Sequence, residues 1–498
     1  QARRDALRHG VTTVFDMFTD PNTIDGMTAE RESFDTADTA ALFSAGMLAT
    51  VDGGHGTQFG VDVEPLGNGQ VAAEWVAARK AEGSDYIKLA YIPDADYMPS
   101  LDLATARAVI DAAHSEGLLA VAHISTQAAA MDLLAAGIDG FVHVFADEPV
   151  SDAFLRNAKD AGVFVIPTLA IIASADGRGP GAQLLEDEHL SPYLSGAQKA
   201  SLGADLGGPY PGFDLELARD NVARMHEAGI AILAGSDAPN PGTAHGASLH
   251  QELALLTQSG LSALEALRAA TSATAAAFSA SGRGRIAPGA RADIVLVEGD
   301  PTQDIAATRA IAHVFRNGVE VVRDIEASAS VGDTLPAQLG TFDQDLSAPE
   351  GFAWAPTTDS MMGGSSEASL SHVSPGADAS GGALLVDTEV FMDFPYPWAG
   401  AYLAVIPEGR TGDLSAWAAV EFDVRGTPGN YRLMLFSTNL FGAPPTGHFD
   451  VAQEWTRVSV PVDRFSGYKA GQFTGMAIAT PMAQGQYKFE IDNVTLVK

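Results

Sequence analysis

The chain of 498 residues contains no cysteine. Disulfides, thiolate nucleophiles and Cys-ligated zinc are thereby removed, so any metal must be held by histidine, carboxylate or a modified side chain. Basic residues are scarce: 29 Lys and Arg stand against 63 Asp and Glu, a net charge of −34. Nucleic acid and anionic membrane surfaces both demand a basic face, and neither is expected as a partner. No run of about 18 apolar residues occurs, so no membrane span is expected. No Gly-rich phosphate loop follows any apolar run, which argues against an open nucleotide-binding sheet. No signal peptide is visible, because Gln1 opens directly on QARRDALRHGVTTVFDM. A start on Gln reads as a trimmed chain, and a bacterial protein exported to the periplasm or beyond is expected over a cytoplasmic one.

What is present is the composition of a folded protein, 46% apolar and 18% charged. Its length calls for two or three domains. Through residues 1–280 short apolar runs (GVTTVFDM, ALFSAGMLAT, DYIKLAYI, LLAVAHIS, GFVHVFAD, VFVIPTLA, AILAGSD) alternate with Ala-rich helical stretches that stop at Gly. Unbroken apolar strands followed by helices predict an α/β fold with a parallel sheet, most simply a (β/α)8 barrel short of one strand. Residues 281–325 read as a small β module and 326–340 as a Ser/Ala/Pro-rich linker. Residues 341–498 turn all-β, with Trp354, Trp398, Trp417 and Trp455, and predict a separate β-sandwich.

Four polar residues stand at the ends of barrel strands: Lys88, His123, His143 and Asp237. In a βα barrel the C-terminal strand ends converge on one mouth. Lys88 is conspicuous, since an ammonium inside the run DYIKLAYI is costly unless it is paired, neutralised or chemically used. Together the four form a hard-to-borderline donor set suited to zinc or a similar divalent ion. His9, His114 and His226 lie in helical segments and read as structural. His55, His245 and His250 lie in loops or at helix starts near the expected mouth, where function collects.

At these motifs the chain resembles the amidohydrolase superfamily, in its imidazolonepropionase and Xaa-Pro dipeptidase-like branch. The carriers are GVTTVFDM, GGHGTQFG, YIKLAYI, VAHIS, FVHVFAD, GSDAPNPGTAHGASLHQEL and EALRAATSATAAAF followed by GRIAPGARADIVLVEGDP. The resemblance implies that Lys88 is carboxylated and bridges two metals, that His123 and His143 hold one of them, and that Asp237 ligates the other and shuttles a proton. It implies one or two divalent ions, zinc foremost, and a small-molecule substrate. From loops and helix starts at the mouth, His55 and His245 are the candidates to meet that substrate, and Tyr91 with Tyr97 from the loop after the Lys88 strand, with packing as the alternative role of the tyrosines. The family's first strand with its His-x-His pair has no counterpart before GVTTVFDM. One cation is therefore expected at most, and the exposed edges of the neighbouring strands would suit pairing with a second copy.

Hydrolysis of an amide, cyclic amide or dipeptide bond is the leading expectation. Ester or lactone hydrolysis on the same scaffold is the alternative, and a catalytically dead barrel beside a binding sandwich is a second alternative. Residues 341–498 are similar to the complex I intermediate-associated protein domain, a galactose-binding-like jelly roll, through DSMMGGSSEASL, VEFDVRG and FEIDNVTLV. That similarity implies carbohydrate or protein as a partner, with FPYPWAG as either an exposed aromatic patch or a packed turn.

Overall fold

Each of the helices Leu103–Ser115, Gln127–Ala136, Asp152–Ala161 and Leu215–Ala228 begins where a side chain accepts a backbone N–H, from Asp102, Thr126, Ser151 and Asp214 respectively. The last three end on Gly137, Gly162 and Gly229 in the left-handed conformation, which only glycine adopts without strain. These punctuation marks set the βα rhythm. The computed structural model describes residues 1–498 apart from 25, 60–63, 67–70, 96–97, 205, 207, 211, 324–332, 350–351, 360–364, 393–395, 406–410, 438–443 and 466–469. It divides into two units, Gln1–Ile325 and Glu326–Lys498.

In the first unit, strands β1 (Thr13–Asp16) and β2 (Ala41–Ser44) pair in parallel. Strands β3 (Ile87–Ala90), β4 (Ala120–His123), β5 (Gly140–Val142), β6 (Phe164–Ile166) and β7 (Ala231–Ile232) form a parallel sheet in sequence order. A parallel bridge between Ala49 and Leu89 joins the two sets. No ladder joins β7 to β1 among the described residues. Strands β8 (Ile294–Val297), β9 (Ile311–Arg316) and β10 (Val319–Glu320) make an antiparallel sheet. Among the described residues no helix is long and apolar enough to cross a membrane.

Period-two alternation divides the strand side chains between two cores. Ile87, Leu89 and Tyr91 face outward to the helices with Val109, Leu133 and Phe154. Tyr86, Val121, Val142, Phe164, Ile166 and Leu233 face inward with Phe43 and Phe278. Burial on both faces explains why these strands read as continuous apolar runs.

In the second unit a mostly antiparallel set of strands forms two sheets. One contains Phe352–Thr358, Ala399–Val405, Gly429–Ser437 and Phe473–Ala479, the other Glu367–Val373, Ala383–Val390, Ala419–Gly426 and Gly485–Val497. Alternate residues of both, among them Leu403, Leu433, Ile478, Leu384, Phe422 and Ile491, meet in one shared core. The stretch expected as linker is partly structured: Asp333–Thr334 pairs with Gly412–Asp413, and Gln338–Gly340 with the last strand. In the FPYPWAG stretch Tyr396 is exposed, while the Trp398 indole is half-buried and donates to Thr357 Oγ1 at 3.3 Å. Phe394 and Pro395 of that stretch, most of the DSMMGGSS motif, and Tyr97 lie outside the described residues.

Candidate active site

Ladder register brings the strand ends level. Lys88 sits opposite Val121, and His123 opposite Ala90 and Val142. Because Tyr86 and Val121 point inward, Lys88 and His123, two residues on, share that face. His143 directly follows the inward Val142, so strict alternation would send it to the outer side. Its φ of 78° is left-handed, and it lines the same inner cavity as Val142. Asp237, five residues past β7, is also left-handed, with φ 51°. Such conformations are costly for residues with a Cβ and gather where a side chain must be aimed.

One cavity of about 1490 Å3 is lined by Lys88, His123, His143 and Asp237, joined by His55, His245, His250, Thr168 and Asp16. It extends past these residues along β1 and the segment 234–241, the two flanks that no ladder connects. The four residues expected to carry chemistry are therefore gathered in one place, and His55 and His245 with them. His55 stacks on His123 with ring centroids 4.1 Å apart, and His123 meets His143 edge-on at 4.6 Å.

Burial sets the electrostatics. Lys88 is 5% exposed, and its ammonium forms no ion pair or hydrogen bond among the described residues. Burial pushes its pKa down, partly countered by the charges of Asp237 and Asp16. His143 is lowered to about 4, chiefly by burial, and His123 falls well below the usual imidazole range for the same reason. Burial thus shifts all three groups towards their neutral forms.

The histidines differ in how they are held. His143 Nδ1 lies 2.7 Å from Thr168 Oγ1, and that hydroxyl donates its single proton to Pro167 O at 2.7 Å. Thr168 must then accept from His143, which assigns the proton to Nδ1 and leaves Nε2 as the lone-pair nitrogen. Among the described residues His123 Nδ1 is buried with no hydrogen-bond partner. An orphaned imidazole nitrogen beside a second imidazole, an unpaired lysine and a carboxylate fits a borderline divalent ion in donor chemistry. Among the described residues, however, no group of three His, Asp or Glu side chains is gathered at the spacing an ion would require.

One expectation needs correction. Tyr91 does not line the cavity. Three residues from Lys88, it has the opposite parity, so its ring is packed in the outer core and its hydroxyl donates to Asp132 Oδ2 at 3.0 Å. His250 reaches the cavity wall but is structurally committed, with Nε2 3.0 Å from His9 O and Nδ1 3.1 Å from Thr308 Oγ1. His9 is buried against Asp5 O, while His114 pairs with Asp139.

Sequence reading missed Asp16, at the end of β1. Its Oδ2 accepts from Ser44 Oγ at 2.7 Å, burial raises its pKa, and Lys88 opposes that rise. The signal was available, because an acid ending GVTTVFDM is as anomalous as the lysine in DYIKLAYI.

The model of the amidohydrolase family matches residues 2–321. The chain belongs to the amidohydrolase family, and it is an enzyme of that hydrolase class. Among solved structures, a prolidase complexed with N-methylphosphonate-L-proline is 21% identical with a TM-score of 0.50, over 64% of this chain and 78% of that one. A Xaa-Pro dipeptidase with bound methionine is 20% identical with a TM-score of 0.47, over 64% and 77%. Likeness at this identity describes the fold alone. A search among curated proteins finds no match.

Proposed function

We propose that the chain hydrolyses the C–N bond of an amide, cyclic amide or dipeptide in a small molecule, with a divalent ion, zinc foremost, as cofactor. The observation that carries this reading is the convergence of Lys88, His123, His143 and Asp237, from four strands, on one cavity of an amidohydrolase-family chain. His123, His143, Lys88 and Asp237 would hold the ion, which when bound acidifies water and polarises the scissile carbonyl.

The protein's own groups divide the remaining work. Asp237 Oδ2 is steadied by Asn240 Nδ2 at 3.0 Å, while Oδ1 accepts no hydrogen bond among the described residues. The carboxylate takes the proton of the attacking water as oxygen adds to the carbonyl carbon. It returns that proton to nitrogen as the C–N bond breaks. Lys88, buried and with no ion pair among the described residues, reacts as the neutral amine with carbon dioxide to give a carbamate and a proton. His55 and His245 meet the substrate from the cavity wall. The reading of a barrel short of one strand is supported by the same cavity, which occupies the flank between β1 and the segment after β7.

Asp237→Asn is the decisive variant. It keeps the shape and the Asn240 contact but cannot accept the proton, so hydrolysis should fall by roughly 10²–10⁴-fold on a panel of N-acyl amino acids, dipeptides and cyclic amides. Activity above about a tenth of wild type would assign the proton transfer elsewhere.

A further inference from the structure

Thr168 precedes the helix Leu169–Ala175, a position where a threonine hydroxyl ordinarily accepts a backbone N–H of the first turn. It makes no such bond. Held left-handed at φ 55°, it has its Oγ1 engaged with His143 Nδ1 and Pro167 O instead. The first turn is satisfied from a distant part of the chain. Glu252, on the helix Ala247–Gln258 and 0% exposed, accepts from Ala170 N at 2.8 Å through Oε2. Among the described residues its Oε1 is buried with no hydrogen-bond partner. A buried carboxyl with an orphaned oxygen is an expensive way to terminate a helix that a threonine stands ready to cap.

We propose that Glu252 is a positioning residue for His143: it caps the turn 168–170 in place of Thr168, which leaves the threonine hydroxyl to hold the imidazole in its Nδ1–H form. Without the external cap, the N–H groups of the turn are left to the Thr168 hydroxyl, the side-chain oxygen at the N-cap position. Turning that hydroxyl inward would withdraw it from His143 and release the tautomer. The role rests on the reading of His143 as a site residue, and its test is arranged so that the two can fail separately.

Full-length protein labelled with 15N at histidine, as wild type, Glu252→Met, Glu252→Gln and Thr168→Val, gives the His143 tautomer by NMR, with the resonance assigned by its loss in His143→Gln. Wild type and Glu252→Gln, which keeps an acceptor oxygen, should show the Nδ1–H form. Glu252→Met and Thr168→Val should show a mixture. Hydrolysis by Glu252→Met should lose about 10–100-fold in kcat, with KM within about threefold, as for partners that orient a ligand histidine. Should Glu252→Met not fold, Glu252→Asp withdraws the acceptor by one methylene and carries the same expectation. An unchanged tautomer and kcat in the Met or Asp variant would overturn the proposal, and so would a Gln variant that behaves like Met. If wild type cleaves no amide but the tautomer responds, the positioning role stands and the proposed function falls.

Discussion

His55, from the loop after β2, lies flat on His123, from the end of β4, with ring centroids 4.1 Å apart and planes inclined by 22°. Two imidazoles this close cannot both be charged. Burial holds His55 at about 4, with Lys88 and His143 acting in the same direction. The stack is thus a neutral pair at physiological pH, and it fixes the His123 ring while placing a second nitrogen base on the cavity wall.

His55→Phe preserves the flat partner for His123 but removes both nitrogens. It should fold normally and lose about tenfold or more in kcat/KM, mainly through KM if His55 contacts substrate. Steady-state kinetics beside a thermal melt make the comparison. Retention of kcat/KM within about twofold would reduce His55 to packing.

Lys88 should be found as a carbamate. Protein equilibrated with 13C-bicarbonate should show a carbamate carbon resonance that is missing from Lys88→Met. A wild-type spectrum identical to that of the variant would leave the burial of an unpaired lysine unexplained.

Metal content is expected to be at most one equivalent per chain. Among the described residues His123, His143, Lys88 and Asp237 would hold one ion, and too few donors are left beside them for a second stable zinc site. Elemental analysis after dialysis against metal-free buffer decides this. Two equivalents would bring His55 or His245 in as ligands.

Acid should destabilise the first unit in a defined window. Burial holds His250 neutral, lowering it to about 4 against the opposing pull of the His9 carbonyl, 3.0 Å from Nε2. A histidine with a depressed folded-state pKa supports the fold fully above its unfolded value near 6.5, and that support is lost as pH falls towards about 4. Each such group contributes a slope of up to about 1.4 kcal/mol per pH unit. His250→Gln should therefore cost stability at pH 7 and progressively less towards pH 4.5. Urea unfolding at several pH values measures the difference, and parallel curves for the two proteins would show that His250 does not titrate in this way.

Much of this was legible from residue order. Alternation of apolar strands with Gly-terminated helices announced a βα fold, and caps such as Asp102 and Ser151 stand where they should. Lys88 and His123 could be placed on the inner face because periodicity two is a local property. The same periodicity, applied from Lys88 to Tyr91, would have sent the tyrosine to the outer core. Within the stretch read as linker, Asp333–Thr334 and Gln338–Gly340 became strands, because pairing partners at Gly412 and Val494 lie far along the chain.

Short-range sterics and hydrophobic patterning therefore determined by themselves where the strands and helices lie, and which polar residues end the strands. The tertiary structure alone decided how those residues are aimed. His143 reaches the cavity through a φ of 78° that alternation forbids, and Thr168 serves it because Glu252, 84 positions later, caps the turn instead. Such choices depend on which buried donors and acceptors meet across the core. Burial makes each unmet group costly, and only packing brings distant partners within reach.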